Sequence, residues 1–314
     1  MNNIGRIVTV NRNNWNILYE DKNIIGTIRQ RKNNNDLPVV GDYVSLEIDE
    51  YNNCTIKSIL PRKNEIKKLS IDRTKEKYKD GKEQTLAANV DIVFIVTSLN
   101  NDFNIARLER LVLLAINSNS KIAFILTKSD LCTEEEKEKY KNIIQERFED
   151  YPIFLISSYK NEGIEELKTI WKENETAVFI GSSGVGKSTL INNLLKQDII
   201  KTNGIREKDD KGKHTTTSRN LFVLSDKRIV IDEPGIRSVA SFEMNSDLNT
   251  IFSKISELEK ECKYTTCTHE NRNGCKVLEA IDNGEISEEE FKRYKKLKDK
   301  ELRKNSDFLK NRKH

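Results

Sequence analysis

The chain has 314 residues, room for two or three domains that each bury a core. Its opening, MNNIGRIVTVNRNN, lacks the apolar stretch of a signal peptide, and its longest apolar run, at residues 92–96 with their neighbours, is far too short to span a bilayer. A cytoplasmic protein with no membrane contact is expected. The net charge of +4 conceals an asymmetry: residues 292–314 hold 11 Lys/Arg against 3 Asp/Glu, a local +8 that leaves −4 elsewhere, which suits either a polyanionic partner or a solvated helix face.

In chain order, residues 1 to about 65 read as short strands separated by Asn, Asp and Gly turns: RIVTV, NILY, IIGTI and DYVSLEI. In the last, Val44, Leu46 and Ile48 share one face, and Tyr43, Ser45 and Glu47 share the other. An OB-type β-barrel, a fold that often binds oligonucleotides, fits this length, and periodicity alone admits an uncommitted five-strand sheet as well. SIDRTKEKYKDGKEQT, at 70–85, is charged and aperiodic and reads as a linker or mobile loop. Strands and helices then alternate. Strand 90–96 precedes helix 105–117, strand 121–126 precedes helix 133–148, and strand 151–157 precedes helix 163–173. Strand 176–181 runs into a glycine loop and a helix through Leu195, and strands 220–224 and 228–232 follow. Continuous apolar strands between helices indicate a parallel sheet covered on both faces.

The loop in FIGSSGVGKSTLI fits G-x4-G-K-[ST] between a strand and a helix. Its residues Gly181, Ser182, Ser183, Gly184, Val185, Gly186, Lys187, Ser188 and Thr189 are expected to hold phosphates: glycines let backbone N–H groups close around the oxygens, Lys187 reaches the β/γ-phosphates, and Ser188 binds Mg²⁺. About 50 residues on, Asp232-Glu233-Pro234-Gly235 ends an apolar strand and fits D-x-x-G, with Asp232 holding Mg²⁺ through water and the Gly235 amide facing the γ-phosphate. Between them, in GKHTTT, Thr215, Thr216 or Thr217 completes the Mg²⁺ shell, and spacing does not choose among them.

The base reader lies upstream. Thr127-Lys128-Ser129-Asp130 follows a strand and fits [N/T]-K-x-D. The Asp130 carboxylate accepts guanine N1–H and N2–H, donors that adenine does not present there, so Asp130 separates GTP from ATP. Lys128 lies along the base plane. Thr127 replaces the commoner Asn, which weakens the loop's support. Ser157 and Ser158, with Gly163 and Leu167 following, fit the element backing the base from its other side. The order is base reader, base support, P-loop, first switch, D-x-x-G: a circularly permuted P-loop G domain. Ligands of such α/β sheets bind outside the carboxyl ends of the strands whatever order the chain visits them, so permutation preserves the site.

Farther on, Cys262-x4-Cys267-x-His269-x5-Cys275 gathers three thiols and an imidazole within 14 residues. Soft sulfur with one nitrogen suits a closed, structural, tetrahedral Zn²⁺ site, whereas Cys54 and Cys132 stand alone. Ser287-x-x-Glu290 can cap a helix presenting Lys292, Arg293, Lys295, Lys296 and Lys298. The divisions expected are a barrel at 1–68, the G domain at 69–242 and a zinc-binding, basic helical domain at 243–314.

GSSGVGKST, GKHTTT and the cysteine spacing, behind a barrel, resemble the ribosome small-subunit-dependent GTPases of the RsgA/YjeQ type over nearly the whole chain. Glu233 stands where that family more often has Thr. The resemblance implies one structural Zn²⁺ on the same four ligands and Mg²⁺ with GTP. It implies a GTPase, GTP to GDP and phosphate, acting in late maturation of the 30S ribosomal subunit and stimulated by it. Contact between the basic helix and 16S rRNA follows, and a monomer is expected. Ras-like enzymes place a Gln after D-x-x-G to orient the attacking water; this chain has Ile236. His214, at a place where the family also has His, is the candidate for that role, the alternative being that the ribosome supplies the group. A P-loop ATPase or kinase with an accidental TKSD, and a zinc-stabilised RNA-binding protein using GTP as a structural ligand, are the competing readings.

Overall fold

The computed structural model describes residues 3–28, 37–70, 82–100, 103–148, 151–197, 220–232, 252–271, 273–288, 290–296 and 298–299. The chain divides into two compact units, Met1–Glu243 and Met244–His314.

The first unit opens with a five-stranded closed barrel of β1 (Asn3–Val10), β2 (Trp15–Tyr19), β3 (Lys22–Thr27), β4 (Tyr43–Ile48) and β5 (Cys54–Ile59). The strands run β1-β2-β3-β5-β4, and β4 pairs back onto β1, so no edge is left open in this ring. Alternation explains the core: Ile7, Trp15, Ile17, Val44, Leu46, Cys54 and Ile56 point inward from successive strands. Val44 and Leu46 are buried and Ile48 packs at the margin, the inward face read from the alternation.

A two-stranded antiparallel ribbon follows, β6 (Glu65–Ser70) with β7 (Lys82–Ala88). It corrects the reading of 70–85 as linker: Ser70 closes β6 and residues 82–85 open β7, while 71–81 lie outside the described residues. Charge misled here because the ladder is held by backbone bonds and by a polar pair at its root. Thr85 Oγ1 donates to Glu65 Oε2 at 2.9 Å, and Arg62 Nη1 donates to the same oxygen at 2.9 Å.

The remainder is an α/β sheet. β8 (Ile92–Ser98), β9 (Lys121–Thr127), β10 (Ile153–Ile156), β11 (Thr176–Gly181) and β13 (Ile229–Asp232) are parallel in the order β10-β9-β8-β11-β13, with α1 (Ile105–Ile116), α2 (Glu134–Arg147) and α3 (Lys187–Leu195) among the connections. Every residue of β8 and β11 is buried, as strands covered on both faces require. The helices start where side chains can take orphan amides: Asn104 accepts from the Arg107 amide, and Thr133 with Glu136 forms a capping box. The helix expected at 163–173 is a single 3₁₀ turn, Glu165–Thr169. The Thr169 hydroxyl donates to the Glu166 carbonyl and the Glu175 carboxylate accepts from the Lys172 amide, so side chains take up backbone groups that a continued helix would pair. β12 (Asn220–Val223) corrects the all-parallel expectation: its short hairpin to β13 makes it antiparallel, and β1 of the barrel pairs on its far side at Thr9↔Asn220.

The second unit contains α4 (Ser253–Lys260), α5 (Lys276–Asp282) and helical residues 290–296, before which the Ser287 hydroxyl accepts from the Glu290 amide at 3.0 Å. Among the described residues no helix is long and apolar enough to cross a membrane.

Candidate nucleotide site and metal centre

Register decides whether the base reader and the phosphate loop can meet. β8 lies between β9 and β11, with Ser98 opposite Thr127 and Val96 opposite Gly181. Both motif loops therefore leave the same carboxyl edge of the sheet, two strands apart. Thr127 joins them directly: its hydroxyl bonds the Val185 carbonyl inside the P-loop, and the Thr97 carbonyl lies 3.2 Å away. The shorter threonine thus still ties its loop to the phosphate side. Lys128 follows in the left-handed region, φ 61°, and turns the chain so that Ser129 is buried and Asp130 sits in a 3₁₀ turn, Ser129–Leu131.

Asp130 is fixed from across the sheet edge. Ser157, at the end of β10, donates its hydroxyl to Asp130 Oδ1 at 2.7 Å and accepts the Lys160 amide at 3.1 Å. A carboxylate has about four acceptor sites, so one serine leaves capacity for two further donors. Ser158 Oγ is buried and unpartnered among the described residues, a polar atom of the kind that a ligand satisfies. Its backbone carbonyl accepts Asn193 Nδ2 at 2.6 Å. The sequence reading missed Asn193, which ties the base-support loop to the helix carrying Lys187 and Ser188. Its one signal was an Asn inside an apolar helix, where it is a poor helix former without a bonding role.

The P-loop curls as its glycines allow. A Cβ on Gly181 would lie 2.2 Å from the Val96 carbonyl oxygen, and Gly186 adopts φ +95° with its Cα face against Thr127. Lys187 Nζ donates to the Gly181 carbonyl at 2.7 Å and to that of Ser182, so its ammonium lies within the curve of the loop. Val185 is buried beneath it, whereas Ser183, Gly184 and Thr189 are exposed. Beside β11, Asp232 ends β13. Burial pushes its carboxyl above the usual range, with Lys187 pulling the other way. A partly buried carboxylate that feels the P-loop lysine, with Ser188 next to that lysine in the chain, fits the donor set of a Mg²⁺–phosphate group. His214, Thr215, Thr216, Thr217 and Gly235 lie outside the described residues.

In the second unit, Cys262, Cys267, His269 and Cys275 come together with ligand atoms all within 4.8 Å of one another, and the cluster could hold a metal ion. Bonds of about 2.3 Å to sulfur and 2.0 Å to nitrogen give tetrahedron edges of about 3.5–3.8 Å, so a small closure suffices. His269 Nδ1 faces Cys275 Sγ at 3.3 Å and Cys262 Sγ at 3.9 Å. Burial, with the Cys267 and Cys262 sulfurs adding, pushes the Cys275 thiol to about 11. In the helix after the knot, Lys298 places Nζ 2.6 and 2.7 Å from the two Glu259 carboxylate oxygens, with its side chain still 37% exposed. Lys292 and Lys295 stay near the surface, paired with Glu288 and Glu270.

A doubly wound P-loop domain whose base-side strands precede its phosphate loop in the chain is a circularly permuted G domain. The chain belongs to the RsgA GTPase family, whose model matches residues 59–242, and it is a GTP-hydrolysing enzyme. It is 40% identical over 260 residues to the small ribosomal subunit biogenesis GTPase RsgA 2 of Lactiplantibacillus plantarum, covering 83% of this chain and 71% of that protein. It superposes on YjeQ from Thermotoga maritima with a TM-score of 0.68 at 25% identity, covering 96% and 99% of the two chains. A second solved structure, YloQ, a circularly permuted GTPase, matches with a TM-score of 0.64 at 22% identity over 96% of each chain, a likeness of fold.

Proposed function

We propose that the protein is a cytoplasmic, monomeric GTPase acting in late maturation of the 30S ribosomal subunit, whose turnover the subunit stimulates. The observation that carries this reading is the Ser157–Asp130 pair standing at the same sheet edge as the P-loop, joined to it through Thr127. The relative's name, a small ribosomal subunit biogenesis GTPase, supports the choice of substrate particle. In this reading the barrel is residues 1–68, the G domain 69–242 and the zinc-binding domain 243–314, with barrel and basic helix meeting 16S rRNA.

The roles follow from chemistry. Asp130 accepts the guanine N1–H and N2–H, Lys128 flanks the base, and Ser157 and Ser158 back it. The P-loop amides and Lys187 hold the β- and γ-phosphates. Ser188 and one of the threonines at 215–217 would ligate Mg²⁺, with Asp232 reaching it through water and the Gly235 amide facing the γ-phosphate. Bound Mg²⁺ supplies charge neutralisation as the terminal phosphoryl group departs. His214 orients the attacking water, since Ile236 has no hydrogen bond to offer. Cys262, Cys267, His269 and Cys275 hold Zn²⁺, a structural site because all four positions are protein ligands.

The test is steady-state GTP turnover alone and with 30S, 50S and 70S particles. Stimulation by 30S subunits is expected, and equal rates with and without them would overturn the ribosome reading. His214→Ala is expected to lower the stimulated rate; an unchanged rate removes His214 from the mechanism.

A further inference from the structure

We propose that Glu259 is a positioning residue that ties ion occupancy of the Cys/His knot to docking of the basic C-terminal helix. The proposal rests on the metal-centre reading of Cys262, Cys267, His269 and Cys275 and extends it to residues that hold no metal themselves.

The two nitrogens of His269 face different partners. Nδ1 looks into the knot toward the Cys275 and Cys262 sulfurs, while Nε2 lies 2.7 Å from Glu259 Oε1 on the other side. An imidazole that gives its Nδ1 lone pair to a cation carries its proton on Nε2, on the line to the carboxylate. The same carboxylate takes both contacts from Lys298 and interacts with the Tyr294 side chain. Tyr294 and Lys298 stand one turn apart on the helix, with the ammonium 5.2 Å from the tyrosine ring centroid. Tyr294 is 2% exposed, its ring 5.2 Å from that of Phe252, and Phe291 sets its ring at 85° to the His269 imidazole. Phe291, Tyr294 and Lys298, on one side of the helix, therefore meet one metal ligand and that ligand's own acceptor.

The consequence is a coupling. With a cation in the knot, only the Nε2–H tautomer is available, and Glu259 receives a donor on each side. Without one, His269 can carry its proton on Nδ1, which leaves an imidazole lone pair facing a carboxylate oxygen and weakens the anchor of the helix. Metal binding then sets how firmly the outward lysines and arginine of the helix are presented as one surface to a polyanion.

The experiment uses the full chain and Co²⁺ as probe, whose thiolate charge-transfer absorption reports binding, together with amide hydrogen exchange over the peptide containing Phe291, Tyr294 and Lys298. Glu259→Ala is expected to weaken Co²⁺ binding by about 10–100-fold and to raise exchange in that peptide to the level of chelator-treated wild type. Lys298→Met is expected to raise exchange while Co²⁺ affinity stays close to wild type. Should Glu259→Ala not fold, Glu259→Gln carries the test: it keeps an acceptor for the His269 N–H and loses the charge that holds Lys298, so exchange rises with a smaller loss of affinity. Wild-type affinity in the Glu259 variants, or helix exchange indifferent to chelation while wild type binds Co²⁺, overturns the coupling alone. Absence of charge-transfer absorption in the wild type would overturn the metal centre and the coupling together.

Discussion

Among the described residues Asp130 is held by the Ser157 hydroxyl, and this sets how much of its binding capacity a base can use. Two hydrogen bonds from a base to a carboxylate, each worth about 1.5–3 kcal/mol, correspond to at least a hundredfold in affinity. Asp130→Ala is therefore expected to weaken GTP and GDP by about 10²-fold or more while leaving ATP where it was, read by displacement of a fluorescent GDP. Ser157→Ala frees the carboxylate rotamer and costs about 1 kcal/mol, several-fold in affinity; in an Asp130→Ala background it should cost nothing more. Asp232 behaves oppositely toward stability. Burial, opposed by Lys187, raises its folded pKa. The ionised form at neutral pH is thus a cost to the fold, absent below the ordinary carboxylate range and present above the raised value. Asp232→Asn is expected to melt at a higher temperature than wild type near pH 7, to converge with it in acid, and to lose Mg²⁺-dependent GTP turnover. A lower neutral-pH melting temperature would contradict this.

Elements were legible where one physical rule acted alone. The buried parallel strands, the amphipathic α1 and the inward face of β4 follow from burial and alternation, and each formed where the pattern placed it. The β6–β7 ribbon and the Glu165–Thr169 turn were hidden because side-chain hydrogen bonds outweighed periodicity. The donor set of the knot was legible from spacing, but Glu259 was not, since a glutamate three residues before a cysteine carries no pattern of its own. The pairing of Lys298 with Glu259 was equally hidden, because a charge run does not reveal which partner each of its members takes. The knot also makes a prediction at this scale. Cys275 keeps its proton up to about 11 in the metal-free knot, so an entering cation must displace it, and apparent affinity must rise with pH. Zinc titration by calorimetry in buffers of different ionisation enthalpy is expected to show net proton release on binding. Uptake of protons, or affinity independent of pH, would count against thiolate ligation.

On the scale of the first unit, barrel and G domain share one sheet, and the seam is polar. Thr9 Oγ1 of β1 donates to Asn220 Oδ1 at 2.8 Å, and Asn220 stands opposite Asp232 in the hairpin that ends at the phosphate side. Arg6, 6% exposed, reaches the foot of the P-loop strand: Nη2 donates to Thr176 Oγ1 at 2.7 Å and to the Asn89 carbonyl at 3.4 Å, and Nε donates to the Gly41 carbonyl at 3.4 Å. Its guanidinium also lies 4.9 Å from the centre of the Tyr43 ring. Arg6→Ala leaves the Thr176 hydroxyl and the Asn89 carbonyl without this donor and opens a cavity at the junction, a loss of about 2–4 kcal/mol. For a unit of this size that is a fall of about 4–16 °C. The chain's two tryptophans, Trp15 in the barrel core and Trp171 in the G-domain core, report the two sides separately when each is replaced by Phe in turn. Coincident melting of both probes is expected in wild type, with both falling in Arg6→Ala. A barrel that melts early while the Trp171 signal holds its midpoint would show that the shared sheet does not make the two fold as one.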